Sequence, residues 1–252
     1  MIYFVGAGPG DPELITVRGR RLLAEAATVI YAGSLVNPEL LSVCRPDAAV
    51  YDSAGMTLPE IVAVMVAAHR DGKEVVRLHT GDPALYGAIQ EQMEALEREG
   101  VPFGVVPGVS SFLAAAAAAG RELTSPGVSQ TVIVTRLAGR TPVPETENLQ
   151  ALAATGATLV ILLSVQRIDQ VIQELGAGGL APDTPVVVVE RATWPEERVV
   201  RATLADVAGR VQSLGIGRTA VIMVGRALAG ETIPSRLYAA DFSHGYRRGQ
   251  DP

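Results

Sequence analysis

The chain has 252 residues, 48% of them hydrophobic, and carries a formal net charge of −6 at pH 7. This length can bury one large core or two modest ones, and we expect two domains. The negative charge disfavours a nucleic-acid partner, because nucleic-acid modules normally present a basic face, and an anionic substrate would therefore have to meet individually placed arginines.

Cysteine and histidine usage argues against a metal enzyme. Cys44 is the single cysteine, so the sequence has no disulfide framework and no cysteine-rich metal site. The three histidines, His69, His79 and His244, lie far apart in sequence. The apolar runs are shorter than the roughly 20 residues that span a bilayer, and no basic segment precedes the first of them. We therefore expect a cytoplasmic protein with no metal and no membrane partner.

The first half of the chain alternates strand-like and helix-like segments. Short runs rich in valine and isoleucine predict five strands, and amphipathic patterns lie between most of them. The five runs are IYFVGA, TVIYAG, AAVYDS, EVVRLHTG and FGVVPG. Such alternation is typical of a mostly parallel sheet with helices on its faces.

The second half repeats this organisation after a break. An alanine-rich helix, SSFLAAAAAAGREL, is followed by the turn-forming segment TSPGVSQ and then by the strand-like runs TVIVTR, ATLVILLS, TPVVVVER and TAVIMVGRAL. We predict an α/β fold with an N-terminal domain over residues 1–120, a C-terminal domain over 121–235 and a polar tail over 236–252. Each domain is expected to contain a mostly parallel sheet with flanking helices, with a ligand cleft between the domains.

The first strand runs into a glycine loop, GAGPGD, that raises the question of its ligand. A strand, a glycine-rich turn and a helix start are typical of dinucleotide binding, but Asp11 occupies the position where that fingerprint needs its third glycine. The second strand also lacks the acidic residue that would bind a ribose hydroxyl. The spacing therefore disfavours a nicotinamide-dependent oxidoreductase, and a tight strand-to-helix turn is the simpler alternative.

The loops after the fourth and fifth strands carry further candidates. In TGDPALYG, Asp82 and Pro83 fit a helix start, but Gly81 would also let the backbone approach a ligand. In VPGVSSF, Ser110 and Ser111 can cap a helix or bind a ligand. No lysine is present in these loops to bind phosphates, so a small zwitterion suits them better than a nucleotide.

Taken in order, six segments resemble those of tetrapyrrole methyltransferases that use S-adenosylmethionine, and the resemblance runs from Met1 to about Leu228. The segments are VGAGPGDPELIT, TGDPALYG, VVPGVSSF, TVIVTR, TLVILLSVQR and VVVVERATWPEERVV. The resemblance implies a two-domain α/β fold, usually a homodimer, with S-adenosylmethionine bound in the interdomain cleft.

The resemblance also implies which residues contact the cofactor. The motif positions correspond to Pro9, Thr80, Gly81, Asp82, Leu85, Ser110, Ser111, Leu163, Ala192 and Ala220. Leu163 stands where relatives commonly have methionine, and both side chains are large and apolar enough to pack against adenine.

A second group of residues is expected to line the substrate trough. These positions are Gly10, Asp11, Ser34, Ser53, Gly55, Met56, Arg77, Arg136 and Arg191. The arginines are candidates for binding substrate carboxylates, with a surface position or an internal ion pair as the alternative. A general base could be Asp52, His79 or Glu190, and nothing in the sequence chooses among them.

Two further segments, YAGSLVNPELL and DSAGMTLPEI, resemble the branch of the family that methylates precorrin-4, or its cobalt form, at C11 in cobalamin biosynthesis. Other ring positions remain alternatives, as do acceptors such as ribosomal RNA or the modified histidine of elongation factor 2. A non-enzymatic binder of S-adenosylmethionine or a tetrapyrrole also remains open.

Overall fold

The structure is a computed structural model that describes residues 1–139, 141–230, 235 and 239–249. The chain divides into two compact units: unit 1 comprises Met1–Ala115 with Arg191–Arg198, and unit 2 comprises Ala116–Glu190 with Val199–Pro252. The division differs from the boundary predicted near residue 120 in two ways. It falls earlier in the chain, inside a helix, and a segment from the second half of the sequence belongs to unit 1.

Unit 1 is built on a five-stranded parallel sheet. Its strands are β1 (Ile2–Gly6), β2 (Thr28–Tyr31), β3 (Ala49–Asp52), β4 (Val75–His79) and β5 (Phe103–Val106). Their spatial order is β3-β2-β4-β1-β5, and each pair of neighbours is parallel. All five strands coincide with runs predicted from the sequence.

Helices cover both faces of this sheet. They are α1 (Val17–Glu25), α2 (Leu58–Arg70) and α3 (Ile89–Arg98). One core cluster includes Val5, Leu23 and Leu78, and the other includes Phe4, Met65 and Leu96. Successive strand residues point to opposite faces, so β1 places apolar residues on both sides of the sheet, whereas β4 also carries the buried Arg77 and His79 on one side.

The alanine-rich segment forms α4 (Ser111–Ala118), and the division between the units falls within it. Unit 2 then contains the helices α5 (Leu149–Ala153), α6 (Ile168–Ala177) and α7 (Val207–Ser213).

The sheet of unit 2 contains β6 (Val132–Arg136), β7 (Thr158–Leu162), β8 (Pro185–Glu190), β9 (Arg198–Thr203) and β10 (Ala220–Val224). Its order is β6-β7-β10-β8-β9. β6 and β7 are parallel, whereas β10 runs antiparallel to both β7 and β8. The α/β class is confirmed, and this second sheet mixes the two strand directions.

Strand β9 was not predicted from the sequence. It is the edge strand, and Arg198 and Arg201 on it are exposed. An edge strand with charged residues lacks the continuous apolar run by which its neighbours were recognised. The core of unit 2 instead comes from the central strands, where Ile161, Val188 and Ile222 are at most 1% exposed.

Two further observations concern the chain as a whole. The predicted polar tail, 236–252, is described only over 239–249, where His244 and Arg247 form an isolated bridge. Across the described residues, no helix combines the length and the hydropathy that crossing a bilayer requires.

The most crowded point of unit 1 is the end of β1. A Cβ atom built on Gly6 would lie 2.5 Å from the Cα of Gly108 and 2.6 Å from the carbonyl oxygen of Gly81. These atoms belong to the segments that follow β5 and β4, the two neighbours of β1. Backbone therefore packs directly on backbone at this edge, which only glycine permits.

We expect Gly6→Ala to destabilise the protein by more than about 2 kcal/mol, because the added methyl meets backbone atoms that cannot rotate away. Urea unfolding of purified variants measures this change. Gly104→Ala is the matched control, since its added Cβ would meet Tyr3 at an ordinary 3.4 Å. Equal stability of the two variants would contradict the close backbone approach.

Candidate functional site

Three loops meet at the carboxyl edge of the unit 1 sheet. Gly8 and Gly81 form an antiparallel bridge, in which the Gly81 N–H donates to the Gly8 carbonyl at 2.8 Å and the Gly8 N–H donates to the Gly81 carbonyl at 3.3 Å. The Gly108 N–H donates to Asp82 Oδ2 at 2.9 Å. The loops after β1, β4 and β5 are therefore joined to one another directly.

Asp82 has two structural roles within this arrangement. Its Oδ1 accepts from the Ala84 N–H at 2.8 Å and so stabilises a turn; the helix start predicted at Asp82 and Pro83 is wrong, because the helix begins only at Ile89. The Asp82 carbonyl accepts from the N–H of Leu85 at 3.2 Å, and Leu85 is half-buried. Because Oδ2 holds Gly108, Asp82 also fixes the spacing between two loops. A carboxylate has about four lone-pair sites, so it can still accept hydrogen bonds from a ligand.

Several hydroxyl groups at this edge remain available. Thr80, Ser110 and Ser111 make no side-chain hydrogen bond to any described residue, and Ser110 is only 8% exposed. Thr80 and Ser111 are half-buried, so these hydroxyls are open to water or to a polar ligand.

The glycine loop after β1 is clamped by other parts of unit 1. The Trp194 indole N–H donates to the Pro9 carbonyl at 3.0 Å, and the Asn37 amide donates to the Gly10 carbonyl at 2.9 Å. The Asp11 N–H donates to Thr193 Oγ1 at 2.9 Å. A phosphate-binding loop would present N–H groups to its ligand, and here the N–H groups of Ala7, Gly8 and Asp11 already donate to acceptors within unit 1. The loop is thus held in shape by protein, which agrees with the spacing argument against a dinucleotide.

The segment around Trp194 that holds the glycine loop, called the clamp below, is strained and tightly packed. The Trp194 ring lies so close to Gly10 that no side chain fits there. Arg191 and Thr193 have φ values of 48° and 72°, which are uncommon for residues other than glycine. Arg191 lies over the Trp194 ring at 5.8 Å and pairs with Glu196 at 3.1 Å. Ala192, between the strained residues, is buried.

The loops after β2 and β3 pack against each other at the same sheet edge. The Ser53 hydroxyl donates to the Tyr31 carbonyl at 2.9 Å. Gly33 has a φ of 41°, and a Cβ built on it would lie 2.7 Å from Ala54 Cβ. The Asp52 carboxylate accepts from the Ala54 N–H at 2.8 Å and is otherwise exposed. The two segments that resemble the C11 branch are therefore neighbours.

Other predicted trough residues in this region differ in exposure. Gly55 is exposed with open space beside it, and Met56 is half-buried against the α2–α3 core. Asp11 is half-buried, and its Oδ1 accepts from the Glu13 N–H at 2.8 Å. The side chain of Ser34 lies outside the described part of the structure.

Arg77 and His79 lie inside unit 1, at 5% and 4% exposure. Burial lowers the pKa of Arg77 to about 10, so the guanidinium is still a cation at neutral pH. Burial, with a smaller effect of the Arg77 charge, lowers the pKa of His79 to about 3. The imidazole is therefore neutral at pH 7 and a weak proton acceptor.

Four predicted site residues belong to unit 2. Leu163, directly after β7, is 70% exposed with a φ of 55°, an unusual state for a large apolar residue. Ala220 is buried at the start of β10, and Glu190 is buried at the end of β8. Arg136 donates to the carbonyls of Thr141 and Pro142 at 3.1 and 2.9 Å, so it holds the loop after β6.

Sequence reasoning missed two features of the site. The first is the clamp on the glycine loop, since contacts over more than 180 residues leave no local pattern. The second is Gln92, whose side chain accepts from Arg77 Nε at 3.2 Å. A signal for Gln92 did exist, because it is a polar residue at an apolar position of the α3 pattern, between Ile89 and Leu96. In the described ranges, histidine, cysteine, aspartate and glutamate do not gather in groups of three or more.

Burial of neutral His79 makes the stability of the protein depend on pH. Its pKa is near 6.5 in the unfolded chain and about 3 when folded, so below pH 6.5 the unfolded state binds more protons. Stability should fall as the pH decreases from about 6.5 to 3, with a contribution of up to about 1.4 kcal/mol per pH unit. Urea unfolding between pH 4 and 7 should show a shallower pH dependence for His79→Phe than for wild type. His69→Phe is the control, and identical pH slopes for wild type and His79→Phe would contradict a buried neutral imidazole.

The chain is similar in sequence to named proteins over nearly its full length. A cobalt-precorrin-4 C(11)-methyltransferase from Methanocaldococcus jannaschii is 51% identical over 98% of this chain and 96% of its own length. A precorrin-4 C(11)-methyltransferase from Mycobacterium tuberculosis is 48% identical over 97% and 98%, respectively.

Solved structures agree as well. The X-ray structure of a cobalt precorrin-4 methyltransferase, a cobalamin biosynthetic enzyme, matches with a TM-score of 0.88 and 52% identity, covering 90% of this chain and 95% of that chain. A uroporphyrin-III C-methyltransferase from Thermus thermophilus, complexed with S-adenosyl homocysteine, matches with a TM-score of 0.75 and 35% identity, covering 90% and 92%. The sequence profile of the tetrapyrrole (corrin/porphyrin) methylases matches residues 1–208. The chain belongs to the tetrapyrrole (corrin/porphyrin) methylase family.

Proposed function

We propose that this protein transfers a methyl group from S-adenosylmethionine to C11 of precorrin-4 or of its cobalt form. The observation that carries the ring position is the packing of the loops after β2 and β3, where Ser53 bonds to the Tyr31 carbonyl and Gly33 contacts Ala54. These loops contain the segments that resemble the C11 branch. Full-length identity of about half to proteins named for this reaction supports the same assignment.

The carboxyl edge of unit 1 fits S-adenosylmethionine. The hydroxyls of Thr80, Ser110 and Ser111 make no side-chain hydrogen bond within the described part of the chain, and the loops that carry them contain no lysine. Gly81 has a φ of 60°, a conformation that favours glycine, and because glycine has no side chain the backbone beside Ser110 stays accessible. The named complex of a 35% identical relative with S-adenosyl homocysteine supports this ligand.

We propose that unit 2 contributes Leu163 and Ala220 to cofactor binding. Leu163 holds an exposed apolar side chain in a strained backbone conformation, and such strain is common where a residue meets a ligand. A flat apolar purine is the kind of group that such a leucine can cover. Pro9 and Ala192 are buried beside the clamp, so their proposed role is to shape the site through the glycine loop and the residues around it.

S-adenosylmethionine, when bound, supplies an electrophilic methyl group on a sulfonium. The protein's part is to hold the two reactants in line and to keep water out, and positioning alone can supply roughly 7 to 11 kcal/mol in favourable cases. The joined loops around Gly8, Gly81 and Gly108 are suited to this task because they have few rotatable side chains and several mutual bonds.

The three candidate bases are not equivalent in the structure. His79 is buried with a pKa of about 3, so it is poorly suited to accept a proton at neutral pH. Asp52 is exposed between the two loops of the C11 segments, and Glu190 is buried and already engaged. We therefore favour Asp52 for loss of a substrate proton after methylation.

We also propose that the enzyme is a cytoplasmic homodimer with a small-molecule tetrapyrrole as its substrate. The homodimer rests on the resemblance to the family. Sedimentation of the purified protein measures the oligomeric state directly.

Incubation with labelled S-adenosylmethionine tests the reaction and the ring position. We expect transfer to precorrin-4 or cobalt-precorrin-4, with the new methyl carbon at C11 by carbon NMR, and no transfer to uroporphyrinogen III. Comparing the metal-free and cobalt substrates decides which form is used.

Each other outcome contradicts a defined part of the proposal. A methyl at C2, C7, C17 or C20 would overturn the ring position and keep the family chemistry. Label in RNA or protein but in no tetrapyrrole would overturn the substrate class. Activity that is lost with EDTA and restored by a metal would overturn a metal-free reaction.

Removal of the Asp82 carboxylate should weaken cofactor binding. Asp82→Ala leaves the Gly108 N–H without its acceptor and frees two loops from each other, so we expect about tenfold weaker binding of S-adenosylhomocysteine. The loss of the hydrogen bonds from the Ala84 and Gly108 N–H groups should also lower the free energy of unfolding by about 1.5–3 kcal/mol. Calorimetry measures the affinity, with Asp71→Ala at the end of α2 as the control. Unchanged affinity would reduce Asp82 to a structural cap.

A further inference from the structure

A buried positive charge in unit 1 has no counter-charge. The Arg77 side chain is 5% exposed, and no carboxylate among the described residues pairs with it. It donates from Nε to Gln92 Oε1 at 3.2 Å and from Nη1 to the Ile30 carbonyl at 3.4 Å, while its Nη2 makes no hydrogen bond to any described residue. A guanidinium has five N–H donors, so most of its capacity is unused. Burying a charge with so few hydrogen bonds costs free energy unless an anionic ligand bonds to the unused donors.

The N-terminus of α3 lies at the same place. Gln92, in the first turns of α3, accepts from Arg77 and donates to the Ala88 carbonyl at 3.0 Å. Ala88 caps the helix with a φ of 48° and offers no side-chain acceptor to the first N–H groups. These N–H groups and the helix dipole favour an anion.

His79 adds an unpartnered polar group. It is two residues beyond Arg77 on β4, so both side chains project from the same face of the sheet. Its Nε2 is buried and has no hydrogen-bond partner in the part of the chain that the structure describes. The nearest ring is Phe4, at 6.1 Å, and it offers no acceptor. A buried nitrogen without a partner is expected where a ligand atom completes the bond.

The acidic residues nearest in sequence do not neutralise this cluster, since Glu74 is exposed and the Asp82 carboxylate accepts from the Ala84 and Gly108 N–H groups. Glu91 is in the first turn of α3, but its side chain is exposed, whereas Arg77 is buried. Three independent features therefore favour an anion at one position: a cation with free donors, an uncapped helix N-terminus and an unpartnered imidazole.

We propose that Arg77, His79 and the N-terminus of α3 form a binding site for one carboxylate side chain of the tetrapyrrole substrate. The inference rests on the proposed function for the identity of the substrate. Carboxylate geometry matches the planar fork of a guanidinium, which can donate two parallel hydrogen bonds to it. Gln92 is then a positioning residue, since it fixes the guanidinium against the helix.

The substitution Arg77→Met tests the site. Methionine keeps an apolar stem of similar length and removes the charge, and replacement of a buried unpaired charge by an apolar side chain is often neutral or stabilising. We expect the KM for the tetrapyrrole to rise about 10- to 100-fold, with unchanged affinity for S-adenosylhomocysteine and no loss of stability. The matched control is Arg98→Met at the far end of the same helix, which should leave the KM unchanged.

A second measurement separates this site from the proposed function. Sodium propionate should raise the melting temperature of wild type relative to sodium chloride at equal ionic strength, and this rise should be absent in Arg77→Met. If wild type methylates no tetrapyrrole, the proposed function fails and the propionate measurement still decides the anion site. If Arg77→Met is destabilised while its KM and its propionate response match wild type, the cluster is a structural link and the proposal is wrong.

Discussion

The carboxyl edge of unit 1 depends on backbone packed directly against backbone. Gly6 ends β1, and the Cα of Gly108 and the carbonyl oxygen of Gly81 both occupy the space that a methyl group on Gly6 would need. Because β1 lies between β4 and β5, this contact draws the loops after three strands together. The Gly8–Gly81 bridge and the Asp82–Gly108 bond then follow at short range. The hydroxyls of Thr80, Ser110 and Ser111 are therefore placed by the geometry of the backbone. Few side chains contribute to that geometry.

The glycine-rich loop shows that one local sequence pattern can have different structural roles. In a dinucleotide fold, such a loop offers its N–H groups to a pyrophosphate. Here Trp194, Asn37 and Thr193 engage the loop from within the protein. Its glycines are required because the Trp194 ring and neighbouring backbone occupy the space that side chains would need. Glycine content alone therefore does not identify a phosphate site. Whether the loop can bind a phosphate depends on which partners its backbone groups already have.

Much of the fold could be predicted because it is encoded by local periodicity. All strands of unit 1 and four of unit 2 lie on continuous apolar runs, and the loops of the site follow from the rule that parallel strands end at one edge. What escaped prediction depends on distant contacts. The edge strand β9 carries arginines and so lacks an apolar run. The antiparallel direction of β10 is set by the path of the chain between the strands. Gln92 accepts a hydrogen bond from Arg77 only once α3 packs on β4. The family resemblance supplied the identity of the ligands, which no periodicity contains.

The segment Arg191–Arg198 gives unit 1 a discontinuous sequence. A ribosome synthesises all five strands of the first sheet long before it reaches Trp194, so the nascent unit 1 must wait with its glycine loop held by Asn37 but not by Trp194 or Thr193 while most of unit 2 is made. Completion of the candidate site is thus a late event in biosynthesis. The same topology means that a fragment ending in α4 would carry the sheet, the loops and Asn37 without the two residues that bond to Pro9 and Asp11.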